Sequence, residues 1–205
     1  MNVVEADLAR FYDQEAALRL ERPIDAPRID QRSAFIEQLA TERRSRVLEV
    51  GTGPGRDAAA FIAAGCSVSG IDLSAEHVRM ACAAGVHCVQ ASLFDLPFAG
   101  GGFTAGWTMS TLLHVPDHRF DEAMRSICTA LEPGAPLALG LWGGLDQEGI
   151  VEFDTIQPPR FFSLRSHDRL RGMLRPHGTV EQFLTWPHAA GNWEYQFVVL
   201  RTPTS

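Results

Sequence analysis

The stretch that most constrains this chain is RVLEVGTGPGRDAAAFIAAG, residues 46–65. It opens with Val47-Leu48-Glu49-Val50, an apolar run of strand length. Glycines follow at alternate positions, Gly51, Gly53 and Gly55, and then an alanine-rich segment closed by Gly65. That order reads as strand, tight turn and helix. A glycine turn there lets a ligand approach the backbone and meet the unsatisfied N–H groups that open the helix. Chains of this shape bind nucleotide-like cofactors, and the residues around the turn must say which kind.

Two kinds fit poorly. A dinucleotide turn reads G-x-G-x-x-G and would place its third glycine at 56, where this chain has Arg56. A triphosphate loop ends in Gly-Lys-Ser/Thr, and there is no lysine anywhere; all 18 basic residues are arginine. The lack of lysine also removes Schiff-base chemistry. Asp72, 21 residues beyond Gly51, stands where an acidic side chain accepts ribose hydroxyls. Glu49 lies inside the apolar strand, where a carboxylate is costly unless a cationic or amine-bearing ligand, or the loop N–H groups, pairs with it.

The rest of the chain repeats the strand–helix rhythm. Helices are expected over 5–20 and 28–42, then strands at RVLEV, CSVSGID, VHCVQAS, GGFTAGWTMS and APLALGLWG, with helices between. Ser74 is the expected cap of the helix that follows the second strand. After residue 143 comes a long proline-containing connection, then a helix at RSHDRLRGMLRPHG and two strands near the end, expected to be antiparallel. Such alternation means an α/β fold with a parallel sheet and right-handed crossovers.

The motifs VLEVGTGPG, GIDLS, ASLFDLPF, FTAGWTMSTLLHV and LEPGAPLALGLW, in this order and spacing, resemble the class I S-adenosylmethionine-dependent methyltransferases, in particular their small-molecule branch of the type 11/25 kind. The resemblance is strong over residues 45–143 and looser through the segment that ends in VEQF. It implies a Rossmann-like, doubly wound, mostly parallel seven-stranded sheet with an antiparallel C-terminal strand and helices on both faces. It also implies one domain over 1–205, with a helical lid at 1–44, a cofactor core at 45–143 and a substrate side at 144–205.

The same resemblance implies the site. Glu49, Gly51, Thr52, Gly53 and Gly55 would surround the methionine part of S-adenosyl-L-methionine. Asp72 would hold the ribose, Leu73 would pack on the adenine, and Ser92 and Leu93 would flank it. Trp107 and Met109 would face the cofactor from below, and Tyr12 of the lid would touch its carboxylate. Ser92 departs from many relatives, which are acidic there. The cofactor has a sulfonium, an amine and a carboxylate but no phosphate, which suits a site of glycine backbone, carboxylates and apolar walls. The product would be S-adenosyl-L-homocysteine.

A small-molecule acceptor is expected over the ends of the fourth and fifth strands. His114 is the candidate general base there, with a structural hydrogen bond as its other reading. Trp142, Arg160, Phe161 and Phe162 are candidates for the acceptor wall, with core packing as theirs. Asp117, His118 and His167 read as surface or cap residues. No metal is expected, because no His/Cys cluster has zinc spacing and the four cysteines form no C-x-x-C pair.

A net charge of −7, from 18 basic and 25 acidic residues, argues against a nucleic-acid partner. The N-terminus lacks a signal-peptide pattern and the apolar runs are too short to span a bilayer, so a cytoplasmic protein without a membrane partner is expected. Monomer and homodimer are equally compatible with the sequence. The competing functions are a nicotinamide-dependent oxidoreductase, which shares the glycine turn and Asp72, and a catalytically silent S-adenosylmethionine-binding protein.

Overall fold

A computed structural model describes residues 3–150, 157–187 and 193–204. Five strands run parallel: β1 (Arg46–Val50), β2 (Ser67–Asp72), β3 (His87–Gln90), β4 (Ala105–Met109) and β5 (Pro136–Gly143). Two more, β8 (Thr179–Pro187) and β9 (Glu194–Arg201), complete a seven-stranded sheet in the order β3-β2-β1-β4-β5-β9-β8. β9 is antiparallel to both its neighbours, as expected for the C-terminal strand. The strand order reverses between β1 and β4, the crevice where open α/β sheets bind ligands.

The long proline-containing connection after β5 carries regular structure. It contains β6 (Gln147–Ile150) and β7 (Phe161–Leu164), which pair antiparallel as a separate two-stranded sheet. Both strands are short and β6 is polar, so neither shows a clean alternation of apolar residues. Residues 151–156 of that connection lie outside the described residues.

Alternation along the strands sorts side chains into two layers. One face carries Leu48, Val50, Leu137, Leu139, Val198 and Leu200, packed against α5 (Asp117–Ala130) and α6 (His167–Leu174). The other carries Val47, Val68, Ala105, Trp107, Ala138 and Val199, packed against α2 (Ala26–Thr41), α3 (Arg56–Ala63) and α4 (Ala75–Ala83). Helices therefore cover both faces. Ser74 caps α4 by accepting the His77 N–H at 3.1 Å, as its sequence position implies.

The N-terminal helices are fastened into this frame by ionic contacts. Asp57, in the first turn of α3, is 3% exposed. It accepts hydrogen bonds from Arg28 and Arg32 of α2, and from the Trp107 indole of β4 at 3.1 Å. Burial alone would raise this carboxyl, but the Arg28 charge and the bonds from Arg28, Trp107 and Arg32 outweigh it and hold it below the ordinary range. Arg56 donates to the Arg19 and Arg22 carbonyls, which need donors at the C-terminal end of α1 (Val3–Glu21). Asp13 of α1 accepts the Ser74 hydroxyl at 2.6 Å and the Glu76 N–H at 3.1 Å at the start of α4.

Removing one partner of a buried ionic cluster strands the others. Asp57→Ala is expected to cost about 3–5 kcal/mol in urea unfolding at neutral pH. A folded-state carboxyl held low contributes stability above its unfolded value near 4 and loses it as the pH falls through the folded value. The gap between wild type and Asp57→Ala should therefore narrow below about pH 4. A gap that is constant with pH would show that Asp57 is not held as the ion.

Candidate functional site

A cavity of about 470 Å³ opens at the C-terminal ends of β1, β2 and β4, roofed by α1 and by the segment leading into α2. Its floor is the glycine turn. Gly51 has φ +77°, and a Cβ there would lie 1.9 Å from Thr111 Oγ1, so no other residue fits. The turn is tied to the neighbouring strand, because the Gly51 and Thr52 N–H groups donate to the Ile71 carbonyl at 2.9 and 3.0 Å. At Gly53, with φ +57°, the Cβ direction meets nothing within 4 Å, and its N–H donates to Asp72 Oδ2 at 2.7 Å. Gly55 does not line the cavity. Its Cβ direction meets Ala81 Cα at 3.2 Å, so this glycine permits α3 to pack closely on α4.

Two carboxylates define the polar ends of the turn. Glu49 is 3% exposed, lines the cavity, and its Oε2 has no hydrogen-bond partner among the described residues. Burial pushes its carboxyl well above the ordinary range, and the neighbouring Asp57 charge adds to this against the opposing pull of Arg28. Asp72 accepts the Gly53 N–H with one oxygen and the Ser74 N–H at 2.9 Å with the other. A carboxylate has about four acceptor sites, so two backbone bonds leave capacity for a ligand's hydroxyls. This carboxylate is aimed and held by the turn it serves.

Of the other residues the motifs pointed to, Tyr12, Thr52, Leu73, Leu93, Met109, His114 and Trp142 also line the cavity. His114 sits in a 3-10 turn (Leu112–His114) just after β4. Its Nδ1 lies 2.7 Å from the Phe161 carbonyl, which can only accept, so Nδ1 carries the proton. Nε2 then accepts the Tyr12 hydroxyl at 2.7 Å. The turn is clamped by Arg165, which is 0% exposed and donates to the Leu112 carbonyl at 3.2 Å and the Val115 carbonyl at 2.7 Å.

Besides Gly55, five of the expected residues stand elsewhere. Trp107 is packed beneath α2 and α3, 1% exposed, among Phe35, Phe61 and Phe197, where its N–H serves Asp57. Ser92 lies in an adjoining recess rather than the cavity and donates to Glu5. Arg160 stacks on Phe11 at 4.2 Å and on Phe162 at 5.0 Å, and does not line the cavity. Phe162 is core, 4% exposed, and Phe161 contributes its carbonyl to His114. Asp117 is neither surface nor cap. It binds Ser163, Arg165 and Arg169 and anchors the clamp on the His114 turn.

Sequence reasoning missed several lining residues. Arg28, Asp57, His77, Ser110, Trp186 and Tyr195 all face the cavity. His77 is 4% exposed, with Nδ1 3.4 Å from Asp72 and no partner for Nε2 among the described residues. Ser110 is left-handed at φ +57° without being glycine, and its hydroxyl lies 3.2 Å from the Tyr195 hydroxyl. Trp186 stacks on Tyr195 at 4.9 Å, and Trp142 meets it edge-on at 4.9 Å. Among the described residues no group of three or more His, Cys, Asp or Glu is placed to hold a metal ion, and no helix is long and apolar enough to cross a membrane.

Residues 47–134 match the family model described as a methyltransferase domain. The chain is 31% identical over 112 residues to O-methyltransferase rstn1 of Aspergillus nomiae, covering 50% of this chain and 49% of that protein. It is 28% identical over 160 residues to O-methyltransferase resE of Aspergillus sclerotiorum, covering 65% and 60%. It thus spans about half the length of the first of these relatives and three fifths of the second. The fold is similar to that of the 1,6-didemethyltoxoflavin-N1-methyltransferase of Burkholderia thailandensis, with a TM-score of 0.76, 20% identity, and coverage of 98% of this chain and 88% of that one. A methyltransferase-domain match over residues 47–134 thus sits within a chain whose fold is similar to that of a solved methyltransferase.

The buried Glu49 makes a prediction of its own. Burial holds the Glu49 carboxyl above the ordinary range, and an ammonium beside it would draw it back down, so ligand binding should release protons over the pH range in which the free site titrates. Calorimetry with S-adenosylhomocysteine in buffers of different ionisation enthalpy, repeated across a range of pH, should show that release. Affinity should rise with pH, and Glu49→Gln should abolish the release. Identical heats in every buffer at every pH would show that Glu49 does not take the amine.

Proposed function

We propose that this chain transfers a methyl group from S-adenosylmethionine to a small-molecule acceptor, without a metal and mainly by holding donor and acceptor in line. The observation that carries this reading is the pairing of an unpartnered, buried Glu49 oxygen with a fixed Asp72 across an open glycine turn. An amine-bearing, phosphate-free nucleoside matches that donor and acceptor set at both ends. When bound, the cofactor supplies a methyl carbon already activated by a sulfonium, and S-adenosylhomocysteine is the product.

The protein's own part follows from the lining. Glu49 receives the ammonium, and Thr52 and Gly53 form the turn beneath it. Asp72 holds the ribose hydroxyls, while Leu73 and Leu93 pack against the base. Met109 closes the floor beneath the sulfonium, and Trp142 walls the acceptor side. Correct alignment of the reacting groups is worth roughly 7–11 kcal/mol at best, so orientation alone can carry much of the rate. For an acceptor that must lose a proton, His114 is the base. Its Nε2 is engaged by the Tyr12 hydroxyl, so the proton reaches it by way of Tyr12.

Calorimetry tests the reading first. S-adenosylhomocysteine should bind and NAD(H) should not; the reverse result would move the chain to the nicotinamide-dependent oxidoreductases. Asp72→Ala should weaken that binding by about 1–3 kcal/mol, the cost of lost charge-assisted bonds. With labelled S-adenosylmethionine and an acceptor that turns over, His114→Ala should lower turnover and leave cofactor affinity unchanged. Full activity in that variant would leave His114 a structural residue.

A further inference from the structure

Glu5 is a carboxylate near the start of α1, 7% exposed, on an N-terminal segment outside the family motifs. It accepts the hydroxyl of Ser92, where the resemblance to the methyltransferases implies an acidic residue. Ser92 Oγ in turn accepts the Phe94 N–H at 3.1 Å, so the hydroxyl is fully committed to orienting Glu5. Glu5, Leu73, Ala91 and Phe94 line both the main cavity and its adjoining recess, beyond the end of β3. Arg119, on the rim of both, stacks 3.5 Å over the Phe94 ring and is paired through two bonds of 2.9 Å with Glu122.

The cavity runs along the strand ends, from Glu49 on β1 past Asp72 on β2 to this point beside β3. Two strand spacings separate its ends, roughly 10 Å. On the cofactor reading above, the amino-acid part lies at Glu49 and the ribose at Asp72, which brings the base to Glu5. Adenine presents one strong donor on its edge, the exocyclic amine. A carboxylate accepts through about four sites, so one that lines the cavity can take the amine beside the bond it receives from Ser92.

We propose that Glu5 accepts the adenine amine, so that a carboxylate carried by the N-terminal helix does in space what position 92 does not do in sequence. Ser92 is then a positioning residue that holds Glu5. The arrangement ties recognition of the base to the seating of α1, because the same helix carries Tyr12 against His114 and Asp13 against the start of α4. A protein with α1 displaced would lose base recognition and the wall of the acceptor site together.

The test compares binding of S-adenosylhomocysteine with that of S-inosylhomocysteine, whose base carries a carbonyl oxygen in place of the amine. Wild type should prefer the adenosyl ligand by about tenfold or more, the effect of one hydrogen bond to a charged group. Glu5→Gln keeps the shape and offers an amide that suits either base, so the ratio should fall to near one. Glu5→Ala combined with Ser92→Asp returns a carboxylate from the loop and should restore the preference. The ratio is insensitive to a general loss of stability, because both ligands meet the same folded population. Wild-type preference retained in both Glu5→Gln and Glu5→Ala overturns the assignment of Glu5 and leaves the cofactor reading intact. A wild-type protein that binds neither ligand overturns both.

Discussion

The left-handed turn through Gly51 and Gly53, bonded to the end of β2, is the constraint on which the rest of the site depends. Its N–H groups serve two masters. Those of Gly51 and Thr52 lock the turn to Ile71, and that of Gly53 aims Asp72. The turn leaves Glu49 at its foot with an oxygen that no described residue satisfies. A protein that buries such a group keeps it for a ligand or tolerates a destabilising defect. Here the group faces a cavity, and on the proposed function the ligand that resolves the defect carries an ammonium.

The second feature is how firmly the N-terminal helices belong to that site. α2 is held by its arginines on Asp57, α1 by Arg56 at its end and Asp13 in its middle, and each anchor sits beside the glycine turn or the α4 cap. Arg56 thus explains the departure from the dinucleotide pattern in structural terms. Where a third glycine would bring a helix close to pyrophosphate, this chain places a side chain that binds the end of α1. The cavity and the N-terminal helices are assembled by the same few residues.

Much of this was legible in the sequence because it rests on local rules. Alternating strands and helices, glycine at positive φ, Ser74 before its helix and Asp72 at the end of a strand all follow from short-range chemistry. The unreadable parts depend on long-range pairing. Asp57 looks like an ordinary first-turn acid until Arg28, Arg32 and Trp107 converge on it. Trp107 and Met109 share a face of β4, but only the second reaches the cavity, because aromatic rings from three other elements enclose the first. Phe161 and Phe162 lie on a short strand paired with β6, with Arg160 just before it, and the three meet Phe11 and the His114 turn. Ser92 looked like a weakened base contact, and only the fold brings Glu5 to it across 87 positions of sequence.

The central claim is that the buried Glu49 oxygen and Asp72 mark the two ends of one amine-bearing nucleoside. A crystal structure determined with S-adenosylhomocysteine tests it most directly. The account predicts density along the ends of β1, β2 and β3, with the ligand amine within hydrogen-bond reach of Glu49 Oε2 and its ribose hydroxyls on Asp72. Ligand density elsewhere, or an amine turned away from a Glu49 that remains unpartnered, would contradict it.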